Sequence, residues 1–326
     1  MIYDIHVHTL PERPLDAASS IAPLARQGRV LRALLRTADR RLGGGSAAAW
    51  VAEQVAASRV DRAVVLAIDS FCGADGVADR ERTLLHVPND EVAALCRRHP
   101  RLLFGASVHP YRPDALTELD RVAALGACLV KWIPSAQNIA PDDERCLPFY
   151  ERLVALGLPL LSHTGIEHTL SVLSNDLNHP RRLRLALERG VTVIAAHCGT
   201  RLFLYERSQF SAWQRLALEH ERCYGDLGAF GLPLHGGPLR TILADRDLCA
   251  KAVYGSDFPA LVLPTWYAPA IGWQRARLLS AIANPLDRAC ALMQDLGVPA
   301  AVFARAGGLL RLPGRLAARE PGATPC

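Results

Sequence analysis

Short, nearly continuous apolar runs alternate along this chain with longer stretches whose apolar positions recur at helical spacing. The first run is Met1-Ile2-Tyr3-Asp4-Ile5-His6-Val7-His8-Thr9. It is followed by Ala63 to Ile68, Leu102 to His109, Ala127 to Ile133, Leu158 to His163, Val191 to His197, Cys223 to Asp226 and Ala252 to Asp257. Runs with so little polar alternation suit strands buried on both faces, as in a parallel sheet. Between them, Ala47, Trp50, Val51 and Val55 recur at a helical period and predict a helix docked on a sheet. Pro88-Asn89-Asp90-Glu91 opens another helix, with Val92, Leu95 and Cys96 along one side and Arg97, Arg98 and His99 at its end. Acidic residues at the start and basic ones at the end match the cap and dipole preferences of a helix. Further helices are predicted from Pro113 to Gly126, through Phe149, Leu153 and Leu156 to Gly157, and over Leu183, Leu185 and Leu187 to Gly190. Two more lie around Trp213, Leu216 and Leu218 and from Pro238 to about Arg246.

Eight strands alternating with helices predict an α/β fold, a single-domain (β/α)8 TIM barrel over residues 1–312. A doubly wound open sheet competes, but it lacks a Gly-rich phosphate turn after the first strand. Residues 11–45 read as a basic, partly helical insertion after strand one, either a solvated helix face or a lid over the strand ends. There, Leu24, Leu31, Leu34 and Leu35 alternate with Arg26, Arg29, Arg32, Arg36, Arg40 and Arg41. The Gly-, Pro-, Ala- and Arg-rich end, 313–326, reads as a flexible tail.

Composition narrows the picture less than pattern does. Half of the 326 residues are hydrophobic, which supplies a large core and excludes global disorder. The net charge of +5 is too mild to argue for nucleic acid. No apolar run reaches transmembrane length and no signal peptide precedes strand one, so the expectation is a soluble cytoplasmic protein without membrane or nucleic-acid partners. Nine cysteines without a CxxC pair read as free thiols in a reducing compartment. The expected partner is a small-molecule substrate; self-association into a homo-oligomer is left open.

Chemistry gathers at the strand ends. His6 and His8 are spaced i, i+2, so on a regular strand they share one face while Ile5 and Val7 take the other. His109, Lys131, His163, His197, Asp226 and Asp257 terminate strands three, four, five, six, seven and eight. In a barrel those C-terminal ends converge on one face, where packing alone would call for Val, Ile and Leu. Several histidines and a carboxylate there point to a divalent metal, with Zn2+ the natural fit. Such an ion acidifies water and polarises a carbonyl, and Asp257 beside it can move the proton. His109 and Arg112 on the strand-three loop, and Glu167 and His168 beyond strand five, are candidate substrate-binding groups; His109 could equally close a turn. Asp226 reads as an acceptor rather than a ligand.

His-x-His on strand one, Lys131 on strand four, His163 and His197 on strands five and six and Asp257 on strand eight resemble the amidohydrolase superfamily. Ser162-His163-Thr164-Gly165 and Gly255-Ser256-Asp257-Phe258-Pro259 are similar to its branch of small metal-dependent hydrolases and decarboxylases. The resemblance runs from Met1 to about Phe303. It implies a metal set of His6, His8, Lys131, His163, His197 and Asp257, with Asp257 both ligand and proton acceptor in attack of water on an amide, lactone or ester. A lysine ammonium beside a dication is disfavoured. Members with two metals carry a carboxylated lysine at the Lys131 position, with His163 and His197 on the second ion. That version is favoured here; an unmodified lysine implies one ion. The alternatives are a mononuclear zinc nonoxidative decarboxylase or hydratase acting on a carboxylated substrate, and a non-catalytic barrel used for binding.

Overall fold

The computed structural model describes residues 1–11, 46–170, 172 and 174–312. The predicted insertion, apart from Pro11, and the predicted tail lie outside the described residues. Eight parallel strands run in sequential order: β1 (Tyr3–His8), β2 (Arg62–Leu66), β3 (Leu102–Ala106), β4 (Leu129–Trp132), β5 (Leu160–His163), β6 (Val193–Ala196), β7 (Cys223–Asp226) and β8 (Ala252–Val253). The N–H of Ile5 donates to Tyr254 O at 3.3 Å and that of His8 to Phe258 O at 2.7 Å, bringing β1 against the chain beyond β8. The result is a single-domain (β/α)8 barrel with a short last strand.

Helices cover the outside: α1 (Ala47–Ala56), α2 (Asn89–Arg98), α3 (Ala115–Ala124), α4 (Leu147–Leu156), α5 (Arg184–Glu188), α6 (Phe210–Glu219), α7 (Gly236–Ala244) and α8 (Arg246–Lys251), then α9 (Trp273–Ser280) and α10 (Pro285–Asp295) after β8. Local chemistry explains their ends. Ser46 caps α1 by accepting from Ala49 N–H, Gly157 closes α4 at φ +64°, and Asn284 caps α10 with Pro285 in its first turn. The predicted helix over 183–190 is shorter than its pattern: Pro180–Leu183 is a 3-10 turn and only five residues of α5 follow. No helix among the described residues is long and apolar enough to cross a membrane. The eight described cysteines are unpaired.

Two apolar layers result. Tyr3, Ile5, Val64, Leu66, Leu129, Leu161, Ile194 and Val253 fill the barrel, while Val7, Val65, Val130, Trp132 and Tyr254 pack outward under the helices, where Trp213 of α6 meets them from the other side. Every strand contributes to both layers, which is why its sequence is apolar throughout. Gly225 sits where the outer layer is tightest. A Cβ there would meet Cys198 Sγ at 2.5 Å and the Trp213 ring at 2.6 Å. We expect Gly225→Ala to lower stability by roughly 1–3 kcal/mol through overpacking, read as a shift of the urea midpoint.

β1 departs from the regular strand that the His-x-His spacing assumed. Asp4 pairs with Ala63 and Val7 with Val65, so one extra residue of β1 is accommodated between them. Tyr3 and Ile5 point into the barrel, but Val7 points out. Ile5 and Val7 therefore do not share a face. A bulge sets two residues against one and reverses the alternation beyond it. It lets His6 follow Ile5 inward, and His8 after it.

Candidate metal centre

The bulge brings His6 under a ring of groups from distant strands. Its Nδ1 lies 2.7 Å from Asp226 Oδ2, with both side chains wholly buried. Asp226 also accepts the N–H of His197 at 2.8 Å and of Gly228 at 2.9 Å. A carboxylate so placed accepts a hydrogen bond from Nδ1–H, which keeps the proton there and leaves the His6 Nε2 lone pair facing inward. That Nε2 lies 3.1 Å from His8 Nε2, 3.1 Å from Lys131 Nζ and 3.3 Å from Asp257 Oδ1. Asp257 Oδ1 is 3.4 Å from His8 Nε2.

His197 and His163 extend the cluster. The His197 ring is 5.1 Å from that of His6 and 4.8 Å from that of His163, centre to centre. His197 Nδ1 sits 3.1 Å from the carbonyl of Gly228, so it carries the proton and Nε2 is the free base. The Nε2 of His163 is buried without a hydrogen-bonding partner among the described residues. The backbone here is held out of the common regions, with φ of +62° at His197, +53° at Cys198 and +60° at Asp257. Such angles concentrate where a site over-determines the chain.

The donors suit a cation. One ligand atom each from His6, His197 and Asp257 lies within 4.8 Å of the others. Around a tetrahedral ion with ligands at about 2.0–2.1 Å, ligand atoms stand roughly 3.3 Å apart. The separations of 3.1, 3.3 and 3.4 Å among His6, His8 and Asp257 match that edge. The nitrogen of His163 left without a partner among the described residues is a further donor of the right kind.

Electrostatics prepares the same groups. Burial pushes His6 down to about 4, aided by Lys131, and drives His163 well below its ordinary value, aided by His197; both are neutral imidazoles near pH 7. Burial also lowers Lys131 to about 8. It opposes the ionisation of Asp226, but the charge and hydrogen bond of His6 outweigh it and hold the carboxyl at about 2. For Asp257 the desolvation is likewise overcome, by His6, His197 and His8, leaving it ionised.

Above the cluster opens a cavity of about 360 Å3, whose wall includes His8, Lys131, His163, His197 and Asp257. Glu167 and His168 are on the same wall. Glu167 Oε2 lies 3.6 Å from His163 Nδ1, and His168 Nε2 lies 2.7 Å from Glu206 Oε1. His109 and Arg112 are not on it. The buried ring of His109 sits with Nε2 2.8 Å from Gln137 O and accepts the N–H of Tyr111 at Nδ1. The guanidinium of Arg112 reaches Asp69 at 3.2 Å and Asp114 at 2.8 Å, bracing the loop between β3 and α3. Sequence reasoning passed over His235, a buried wall residue on the β7 loop that burial pushes down to about 4. The apolar stretch before it, Leu227 to Leu234, is broken by Gly228, Gly231 and Pro233 and does not read as a strand, so its end was not marked.

A family model described as Amidohydrolase matches residues 3–305. No curated protein sequence matches the chain. Among solved structures, an amidohydrolase from Burkholderia multivorans with bound HEPES has a TM-score of 0.58 at 12% identity, covering 96% of this chain and 100% of that one. An uncharacterised TIM-barrel protein from Bordetella bronchiseptica follows at 0.55 and 17%, covering 91% and 99%. A probable 2-pyrone-4,6-dicarboxylic acid hydrolase from Acinetobacter baumannii with bound citric acid has 0.54 and 13%, covering 93% and 99%. At these identities the likeness is one of fold.

Proposed function

The chain belongs to the amidohydrolase family, and from that premise we propose that it is a metal-dependent hydrolase acting on an amide, lactone or ester. One observation carries the reading: His6, His8, Lys131 and Asp257, drawn from three segments, converge within 3.1 to 3.4 Å at the floor of a cavity. His6, His8, His163, His197, Asp257 and the carboxylated form of Lys131 would hold the metal, with His163 and His197 on a second, more exposed ion. A divalent cation, Zn2+ by the chemistry of these donors, supplies Lewis-acid polarisation of the scissile carbonyl and a more acidic water.

The residues do the rest. Asp226 fixes the tautomer of His6 so that its lone pair faces the cavity floor. Asp257, ionised and within reach of both strand-one histidines, takes the proton of the attacking water at a carboxylate oxygen. It then returns that proton to the leaving group. Glu167 and His168, on the wall beside His163, contact the substrate.

Lys131 tests the two-ion version. Its amine, lowered to about 8, is largely neutral only above that pH, and a neutral amine is the form that adds carbon dioxide. Reconstitution with Zn2+ and bicarbonate at pH 8.5–9 is therefore expected to load about two ions per chain, and bicarbonate-free buffer or pH 6.5 about one. Elemental analysis reads the stoichiometry, and Lys131→Ala is expected to hold about one under every condition. One ion in all wild-type preparations would remove the carboxylated lysine and leave the mononuclear decarboxylase or hydratase.

A further inference from the structure

Beyond the donors at its floor, the cavity is walled by hydrocarbon. Trp50 on α1, Ile133 after β4, Ile166 after β5, Leu202 after β6, Leu232 after β7 and Leu261 after β8 all face it. The charged side chains on the same wall already have partners. Glu167 accepts the N–H groups of Thr169 at 2.6 Å and Leu170 at 3.0 Å. His168 is paired with Glu206. Arg201 Nη1 donates to the carbonyls of Leu204 at 3.2 Å and Glu206 at 3.0 Å, binding its own loop together. Lys131, at the floor, lies 3.1 Å from His6 Nε2 and belongs to the metal centre in the reading above. Among the described residues no other lysine or arginine lines the cavity.

His235 is different. Its Nδ1 stands 2.9 Å from the carbonyl of Pro233, which can only accept, so Nδ1 carries the proton. The group that His235 brings to the cavity is then the Nε2 lone pair, an acceptor, and among the described residues no hydrogen bond uses it.

The geometry points to a substrate whose portion beyond the scissile bond is apolar and uncharged, with a single O–H or N–H that donates to His235. This rests on the cavity being the hydrolase site proposed above, and it names what that site takes. A remote carboxylate drawn into this wall would lose its water and, among the described residues, meet only Arg201, whose Nη1 is already held by two carbonyls, whereas an apolar group gains for every methylene it buries, about fourfold in affinity each. The volume of about 360 Å3 exceeds the ~150 Å3 that is enough for benzene, leaving room for a ring and a short chain.

Binding of unreactive probes separates this inference from the reaction. Calorimetric titration of the Zn2+-loaded protein, with saturating acetate in every cell to occupy the metal, would compare 4-propylphenol, 4-propylanisole and 3-(4-hydroxyphenyl)propanoate. The expected order is phenol tightest, the anisole about 5–10-fold weaker for want of a donor, and the carboxylate at least about tenfold weaker. His235→Phe is expected to bring phenol and anisole within about twofold of each other while preserving discrimination against the carboxylate. His235→Asn, which keeps an acceptor, is expected to restore part of the phenol preference. Equal or tighter binding of the carboxylate, failure of 4-propylphenol to bind, or a phenol-to-anisole ratio unchanged in a folded His235→Phe protein would each overturn the inference. No probe carries a hydrolysable bond, so absence of hydrolysis in a separate ester and lactone screen would count against the reaction alone.

Discussion

Asp257→Asn is expected to lower kcat by about 10²–10⁴-fold while the barrel melts within a few degrees of wild type. Asparagine has nearly the same shape and tolerates the positive φ of +60° that this position adopts, so the backbone has no reason to move. What disappears is the ionised oxygen 3.3 Å from His6 Nε2 and 3.4 Å from His8 Nε2. An amide oxygen can still lean on a cation, but it cannot carry a proton from water to a leaving group. Steady-state rates with metal content measured on the same sample check this. Turnover within about threefold of wild type, at full metal loading, would remove Asp257 from the proton path.

The second large effect comes from a residue proposed to touch neither ion nor substrate. In Asp226→Asn, the amide oxygen can keep the N–H groups of His197 and Gly228 that Oδ1 now accepts, at 2.8 and 2.9 Å. The amide nitrogen then faces His6 Nδ1, where a carboxylate oxygen sits at 2.7 Å. Two donors cannot share that bond, so the imidazole proton moves to Nε2 and covers the lone pair aimed at the cavity floor. Zn2+ affinity is expected to fall about 10–100-fold, measured by competition with a chromophoric chelator, with the secondary structure unchanged. Unaltered affinity would show that the tautomer of His6 does not matter to the ion.

The same carboxylate gives a pH signature. Its pKa is held at about 2, below the ordinary 3.8, so the stability it contributes is fully present above about pH 4 and is lost as pH falls towards 2. Asparagine at 226 removes that part of the acid slope in a urea-denaturation series.

The barrel was legible because its strands are buried on both faces and so appear as unbroken apolar runs. The ends of those runs were harder to place. β3 stops at Ala106 and β8 at Val253, leaving His109 and Asp257 in the following loops. Apolar character persists past the ladder because the loops also pack, and hydrogen bonding alone decides where a strand ends. The gathering of His6, His8, Lys131, His163, His197 and Asp257 was legible because each follows or ends an apolar run, and the barrel sends all such ends to one mouth. His235 lies 9 positions after the last residue of β7, in a loop whose path no periodicity encodes. The bulge in β1 was invisible for a related reason: Tyr3, Ile5 and Val7 look like one alternating face, and only pairing with β2 reveals the slip.

That slip, and not the spacing of the two histidines alone, is what turns both imidazoles inward. Conservative exchanges at Ile5 or Val7 leave each imidazole on its side of the wall. Paired without the slip, the full strand would set His6 opposite Val65 and His8 opposite Ala67, on the same outward face as Asp4, and hand both imidazoles to the helical coat. Loss of Ile5 would instead straighten the ladder with Val7 still opposite Val65 and both imidazoles still turned to the mouth, so a strand shorter by that one residue keeps its centre.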